Sequence, residues 1–244
     1  MGVIDDLESE QDALSAVLAD LSADDWKRPS SAAGWTVADV VLHLAQTEEA
    51  VVASAANDPA GIDWRRFGDT VDDGMDAMVR ADPATPEQVH ARWQTARRAA
   101  VAALRAADPT RPLRWVTTSL KPRTLATTRL AEHWAHALDI TVPLGLDYPD
   151  TARLRHVAWL GHSTLPYAWH LAGQVAVPVY CDLTGPDGSR WEFGDPRSES
   201  AIAGAAGAFC RVGAQRLAPA ESGLQTRGPH GEEALHLLRN YAVT

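Results

Sequence analysis

Residues 127–140, TTRLAEHWAHALDI, place a glutamate, two histidines and an aspartate among leucines, alanines and a tryptophan. Glu132 and His136 are four apart, so on an α-helix they stack one turn over the other on one face. His133 is one step further round, roughly 100° away, and points elsewhere. Asp139 follows His136 by three and returns to the same side, where it could orient that imidazole or simply sit at the surface. A carboxylate and an imidazole one turn apart can share a divalent cation if a facing helix supplies a third ligand. The candidate is His43 in GWTVADVVLHLAQTEEA, which lies among Val37, Val40, Val41 and Leu44. A lone histidine on an apolar helix is more often an ordinary core or surface residue than a ligand, so spacing by itself leaves both readings open. Glu48 and Glu49 follow His43 by five and six, off the four-residue spacing, and are not assigned as ligands. Gln46 and Thr47 are placed to meet a ligand's polar groups.

These groups need helices to hold them, and the chain to about residue 170 reads as helices separated by short breaks. Ile4, Leu7, Leu14, Val17, Leu18 and Leu21 recur at helical spacing. SADDWKRPSSAAGW is a connector that delivers Trp26 and Trp35, both expected as core anchors. Thr36 is placed to cap the His43 helix. The segment from about 57 to 83 is polar and rich in Gly and Asp, and no element is assigned to it. Thr85, Pro86 and Gln88 spell a capped start for another helix. DPTRPLRWVTTSLKPR reads as a loop. The Glu132 helix comes fourth, ending near PLGLDYP, and TARLRHVAWLGHSTLPYAWHLAG fifth, with a bend expected at Pro166.

Composition then changes. VAVPVYCDLTGPDGSRWEFGD alternates around PDGS, a hairpin signature. SESAIAGAAGAFCRVGAQRLA reads as a small-residue helix and GEEALHLLRNYAV as a last one. The expected architecture is α+β: a helical bundle over 1–174 and a small α+β domain over 175–244.

Bulk properties narrow the partners. With 45% apolar residues in 244, a packed core is possible and global disorder is not expected. A net charge of −10 argues against nucleic acid and anionic membrane. No apolar run approaches a membrane span, and the N-terminus is acidic rather than signal-like, so a cytoplasmic protein is expected. Cys181 and Cys210 sit in apolar settings without a CxxC partner, as reduced buried thiols do. There is no P-loop, dinucleotide glycine motif or G-x-S-x-G.

GWTVADVVLHLAQTEE, followed by RLAEHWAHALDI, resembles the mycothiol-dependent maleylpyruvate isomerase family, within the DinB-like metal-binding helical bundle superfamily. DTARLRHVAWLGHST, LTGPDGSRWEFG and AGAFCRVGAQR extend the likeness over nearly the whole chain, toward an actinobacterial subgroup described as metal-binding. The resemblance implies a DinB-like four-helix bundle and a divalent metal, usually zinc, held by His43, Glu132 and His136. Three protein ligands leave a position open for water, substrate or the thiolate of mycothiol. Its reactions would be thiol transfer or addition, or cis–trans isomerisation, on a small-molecule substrate.

His133 departs from the family, which often has a small or apolar residue there. The loop RWVTTSLKPRTLATTR also differs. These departures motivate a second expectation, a cyclase, isomerase or lyase of specialised metabolism using the same pocket without mycothiol, with or without metal. A third is a non-catalytic metal- or small-molecule-binding module. The candidate catalytic groups are His43, His133 and Arg129. Arg129 is three before Glu132 and could pair with it or reach the metal face. Arg123 and Thr47 are candidate contacts for a thiol cofactor, the arginine as a carboxylate fork. A monomer or a homodimer is expected.

Overall fold

The computed structural model describes residues 2–58, 64–116 and 118–241. Among these, the first of two compact units runs to Tyr148 and the second starts at Pro149. The first holds α1 (Val3–Ala19), α2 (Val37–Ala55), α3 (Val71–Arg80), α4 (Pro86–Ala106) and α5 (Pro122–Leu144). Between α4 and α5 stands a hairpin of β1 (Leu113–Trp115) and β2 (Thr118–Leu120). Helices α1, α2, α4 and α5 make the four-helix bundle, α2 lying against α4 and α1 against α5. Its core includes Leu14, Val40, Leu44, Trp93 and Ile140.

Local chemistry sets the ends of the two helices that matter most. Asp39 N donates to Thr36 Oγ1 at 3.3 Å, and Asp39 Oδ2 accepts from Thr36 N at 2.8 Å, closing a capping box at the start of α2. Pro122 occupies the first turn of α5, where its missing N–H costs nothing. Gly145, at φ +68°, ends that helix in the left-handed conformation that glycine takes without a Cβ penalty.

The second unit begins with α6 (Leu154–Leu171) and continues with β3 (Val179–Thr184), β4 (Arg190–Phe193), β5 (Ser200–Ala205), α7 (Ala206–Gly213), β6 (Gln225–Arg227) and α8 (Gly231–Leu237). The sheet order is β4-β3-β5-β6, with β3 and β5 parallel and the outer pairs antiparallel. The expected PDGS hairpin is β3–β4, and Gly188 turns it at φ +80°. Helix α7 packs on β3 and β5, and α8 on β5 and β6.

Several sequence expectations need correction. The segment left without an element contains α3, capped by Thr70, whose hydroxyl accepts from Asp73 N at 3.1 Å; residues 59–63 of that segment lie outside those described. The expected loop before α5 holds the β1–β2 hairpin, and α5 begins within it, at Pro122. Trp64 Nε1 and Ser54 Oγ donate to the hairpin carbonyls of Val116 and Arg114, which gives this short ribbon the outside support it needs. The small-residue helix is half strand: Ala201, Ile202 and Ala203 are paired with β3 on one side and β6 on the other. Two-sided pairing overrides the helical propensity of an alanine run. Helix α6 packs on α7 and α8, so it goes with the second unit, and the division by contacts falls at 148/149 rather than 174/175. Composition changes only after α6, which is why the sequence suggested the later point. No helix among the described residues is long and apolar enough to cross a membrane.

Candidate metal centre

His43 comes from the second turn of α2, and Glu132 and His136 from the middle of α5. One donor atom from each lies within 4.8 Å of the others, and among the described residues no other group of three or more His, Cys, Asp or Glu side chains does this. Glu132 Oε2 lies 3.4 Å from His136 Nε2 and 3.7 Å from His43 Nε2. The two imidazoles meet edge to face with centroids 5.0 Å apart. His43 is buried, while Glu132 and His136 keep partial exposure.

Asp139 supports His136. Its Oδ2 lies 2.9 Å from His136 Nδ1, so the carboxylate holds a proton on that nitrogen and leaves Nε2 facing Glu132. Trp35 walls the site. Its ring centroid is 5.1 Å from His43 and 6.4 Å from His136, and its Nε1 donates to Asp76 Oδ1 of α3 at 2.8 Å. The sequence reading made Trp35 a core anchor and missed this role. Its signal was position: Trp35 directly precedes Thr36, the N-cap of the helix that carries His43.

The electrostatics follow from burial and from these contacts. Burial pushes the His43 imidazole down to about 4, against the pull of Glu132. Burial works to raise the Glu132 carboxyl, but His136 and His43 outweigh it and hold it well below the usual carboxylate range. Burial also lowers His136, yet Asp139 and Glu132 overcome it and raise that imidazole. His43 therefore offers a neutral ring at pH 7, and Glu132 a full negative charge.

The remaining candidates divide. Arg129 does not pair with Glu132; its Nε donates to Glu48 Oε1 at 2.9 Å and its Nη2 to Thr47 Oγ1 at 2.7 Å. Thr47 Oγ1 also donates to the carbonyl of His43 at 2.9 Å. His133 is fully buried, with Nδ1 donating to Arg129 O at 2.9 Å and Nε2 accepting from Trp93 Nε1 at 3.3 Å. Burial, then the Arg129 cation, hold its pKa well below the histidine range. Arg123 is exposed in the first turn of α5, nine residues before Glu132 and so about 13 Å along the axis. Glu48 is the buried acid that ligand spacing passed over: it is no member of the donor cluster but the partner of Arg129. Burial raises its carboxyl against the Arg129 charge.

A four-helix bundle whose two facing helices converge a His–Glu–His donor set is the class that fold and site define. Residues 7–141 match the family described as mycothiol maleylpyruvate isomerase N-terminal domain, and the chain belongs to that family. It is 32% identical over 252 residues to uncharacterized proteins from two strains of Mycobacterium tuberculosis, covering 97% of this chain and 94% of each relative. The crystal structure of the mycothiol-dependent maleylpyruvate isomerase superposes with a TM-score of 0.60 at 15% identity, over 92% of this chain and 91% of that one. A variant of that isomerase with one histidine changed to alanine gives 0.61 at 14% identity, over the same shares. At this identity the likeness is one of fold.

Proposed function

We propose that the chain is an enzyme that acts on a small molecule with mycothiol as its thiol cosubstrate, and that His43, Glu132 and His136 hold a divalent metal, zinc by preference. The reaction class is cis–trans isomerisation by reversible thiol addition, or thiol transfer. The observation that carries this reading is the convergence of three donors from α2 and α5 in a member of this family.

The residues fit the ion. Two imidazole Nε2 atoms and one carboxylate oxygen are a donor set that zinc accepts, and three protein donors leave a position for a ligand. A divalent ion held there would lower the pKa of a thiol and keep it as a nucleophile at neutral pH. The chain's own groups do the rest. Asp139 fixes the tautomer and ring orientation of His136. Glu132 brings the negative charge that offsets the cation. Trp35 closes one side of the site to water, tethered through Asp76.

The test is the metal content of protein purified without a histidine tag, for wild type and His136→Ala. Near-stoichiometric zinc in the wild type, lost in the variant, supports the metal reading, and mycothiol-dependent turnover then tests the cosubstrate. Wild-type protein that stays metal-free after soaking sinks the metal assignment.

A further inference from the structure

A second set of polar side chains stands one turn away from the donors and is closed to solvent. Arg129 is 2% exposed and Glu48 0%. Thr47 lies one turn after His43 on α2, and Arg129 about one turn before Glu132 on α5. The guanidinium joins the two helices at that level, to Glu48 Oε1 at 2.9 Å and Thr47 Oγ1 at 2.7 Å. The same threonine hydroxyl donates to the carbonyl of His43, and the Arg129 carbonyl accepts from His133, which Trp93 of α4 engages in turn. Both ligand-bearing turns are thus tied to one guanidinium.

A buried ion pair is weak evidence of a gain in stability. A buried ion pair gives up the hydration of two charges, and apolar side chains of similar volume usually hold a fold as well or better. What the pair supplies is geometry: Arg has a planar fork whose donors point in fixed directions. The donors need it, because a one-residue slip along a helix moves a side chain by about 1.5 Å, while metal–ligand distances hold to within about 0.2 Å.

We propose that Arg129, Glu48 and Thr47 are positioning residues, a buried clamp that sets the register of α2 against α5 so that His43 meets Glu132 and His136 around one ion. The inference rests on the metal reading above. Arg129 acts through the ligands and not on the substrate.

The experiment uses the full chain, stripped with chelator and titrated with Co2+, whose visible absorption reports coordination geometry; affinity is read by Zn2+ competition. The volume-conserving double variant E48L/R129M removes both charges. It is expected to unfold at or above the wild-type temperature, to bind the ion at least tenfold more weakly, and to show an altered cobalt band. Thr47→Val, which keeps the ion pair but frees the His43 turn, is expected to weaken binding in the same direction and decides the matter if the double variant does not fold. Wild-type affinity and an unchanged band in the folded double variant overturn the clamp, as does unchanged binding in Thr47→Val if the double variant is lost. Wild-type protein that takes up no Co2+ brings down the metal reading and the clamp together, an outcome distinct from variants that bind as the wild type does.

Discussion

Asp139 holds His136 from behind: its Oδ2 lies 2.9 Å from Nδ1, three residues along the same helix. A ligand imidazole whose far nitrogen donates to a carboxylate is fixed in orientation and made more basic. Asp139→Ala is expected to weaken zinc binding by about 10- to 100-fold, and Asp139→Asn, which keeps an acceptor without the charge, by less. Competition against a chromophoric chelator measures both. An alanine variant with wild-type affinity would show that His136 needs no such support.

Trp35 reports on the site. Its ring lies against both histidines, so a paramagnetic ion bound between them sits close to this indole. Co2+ titration of stripped protein is expected to quench tryptophan emission. With nine tryptophans in the chain the wild-type change alone does not name the source, so the comparison with Trp35→Phe carries the test. The variant should still bind cobalt, by absorption, yet lose the larger part of the quench. Equal quenching in the two proteins would place the ion elsewhere.

The helical part of the fold was legible because its signals are local. Thr36, Thr85 and Pro86 mark helix starts by chemistry that needs no tertiary partner, and the four-residue step from Glu132 to His136 is itself a statement about one helix face. The partner of Arg129 was not legible: Glu48 lies 81 positions away, and only the packing of α2 on α5 brings the two together. Strand β5 was missed for the same reason, since Ser200–Ala205 reads as helix until β3 and β6 pair with it. His133 looked like spare chemistry beside Glu132, and the structure buries it on Trp93 of α4.

The α2 cap carries His43 seven residues on, so its loss should be felt as stability. Thr36 Oγ1 accepts from Asp39 N and donates to Asp39 Oδ2 at 2.7 Å. Thr36→Ala is expected to cost about 1 kcal/mol, a fall of roughly 2–4 °C in the melting of the unit that contains it. Circular dichroism at 222 nm checks this, and an unchanged melting curve would mean that water caps the helix as well.

Cys181 and Cys210 should be inert in the native state. Both are free and buried; burial alone pushes the Cys181 thiol up to about 12, and burial, then the charge of Asp150, push the Cys210 thiol up against the pull of Arg211. Desolvation disfavours the thiolate, which is the reactive form, so neither should ionise across the range in which the protein is handled. Ellman's reagent at pH 8 is expected to react with no thiol in native protein and with two after denaturation. Fast labelling of one thiol in the folded chain would sink the structural reading of that cysteine.

Metal that binds the folded chain through His43, Glu132 and His136 must stabilise it, because the unfolded chain does not hold these three side chains together. At free zinc 100-fold above the dissociation constant the gain is about 2.7 kcal/mol. For a unit of this size that raises the midpoint by roughly 5–10 °C. Chelation should remove the shift, and His136→Ala should lack it whether zinc is present or not. The variant also separates this site from adventitious binding: surface carboxylates and imidazoles elsewhere on an acidic chain remain in His136→Ala, so any shift that survives there comes from them. Calorimetry of wild type and variant, each with zinc and with chelator, gives the four midpoints. A zinc-dependent rise in the variant equal to that of the wild type would remove His136 from the set.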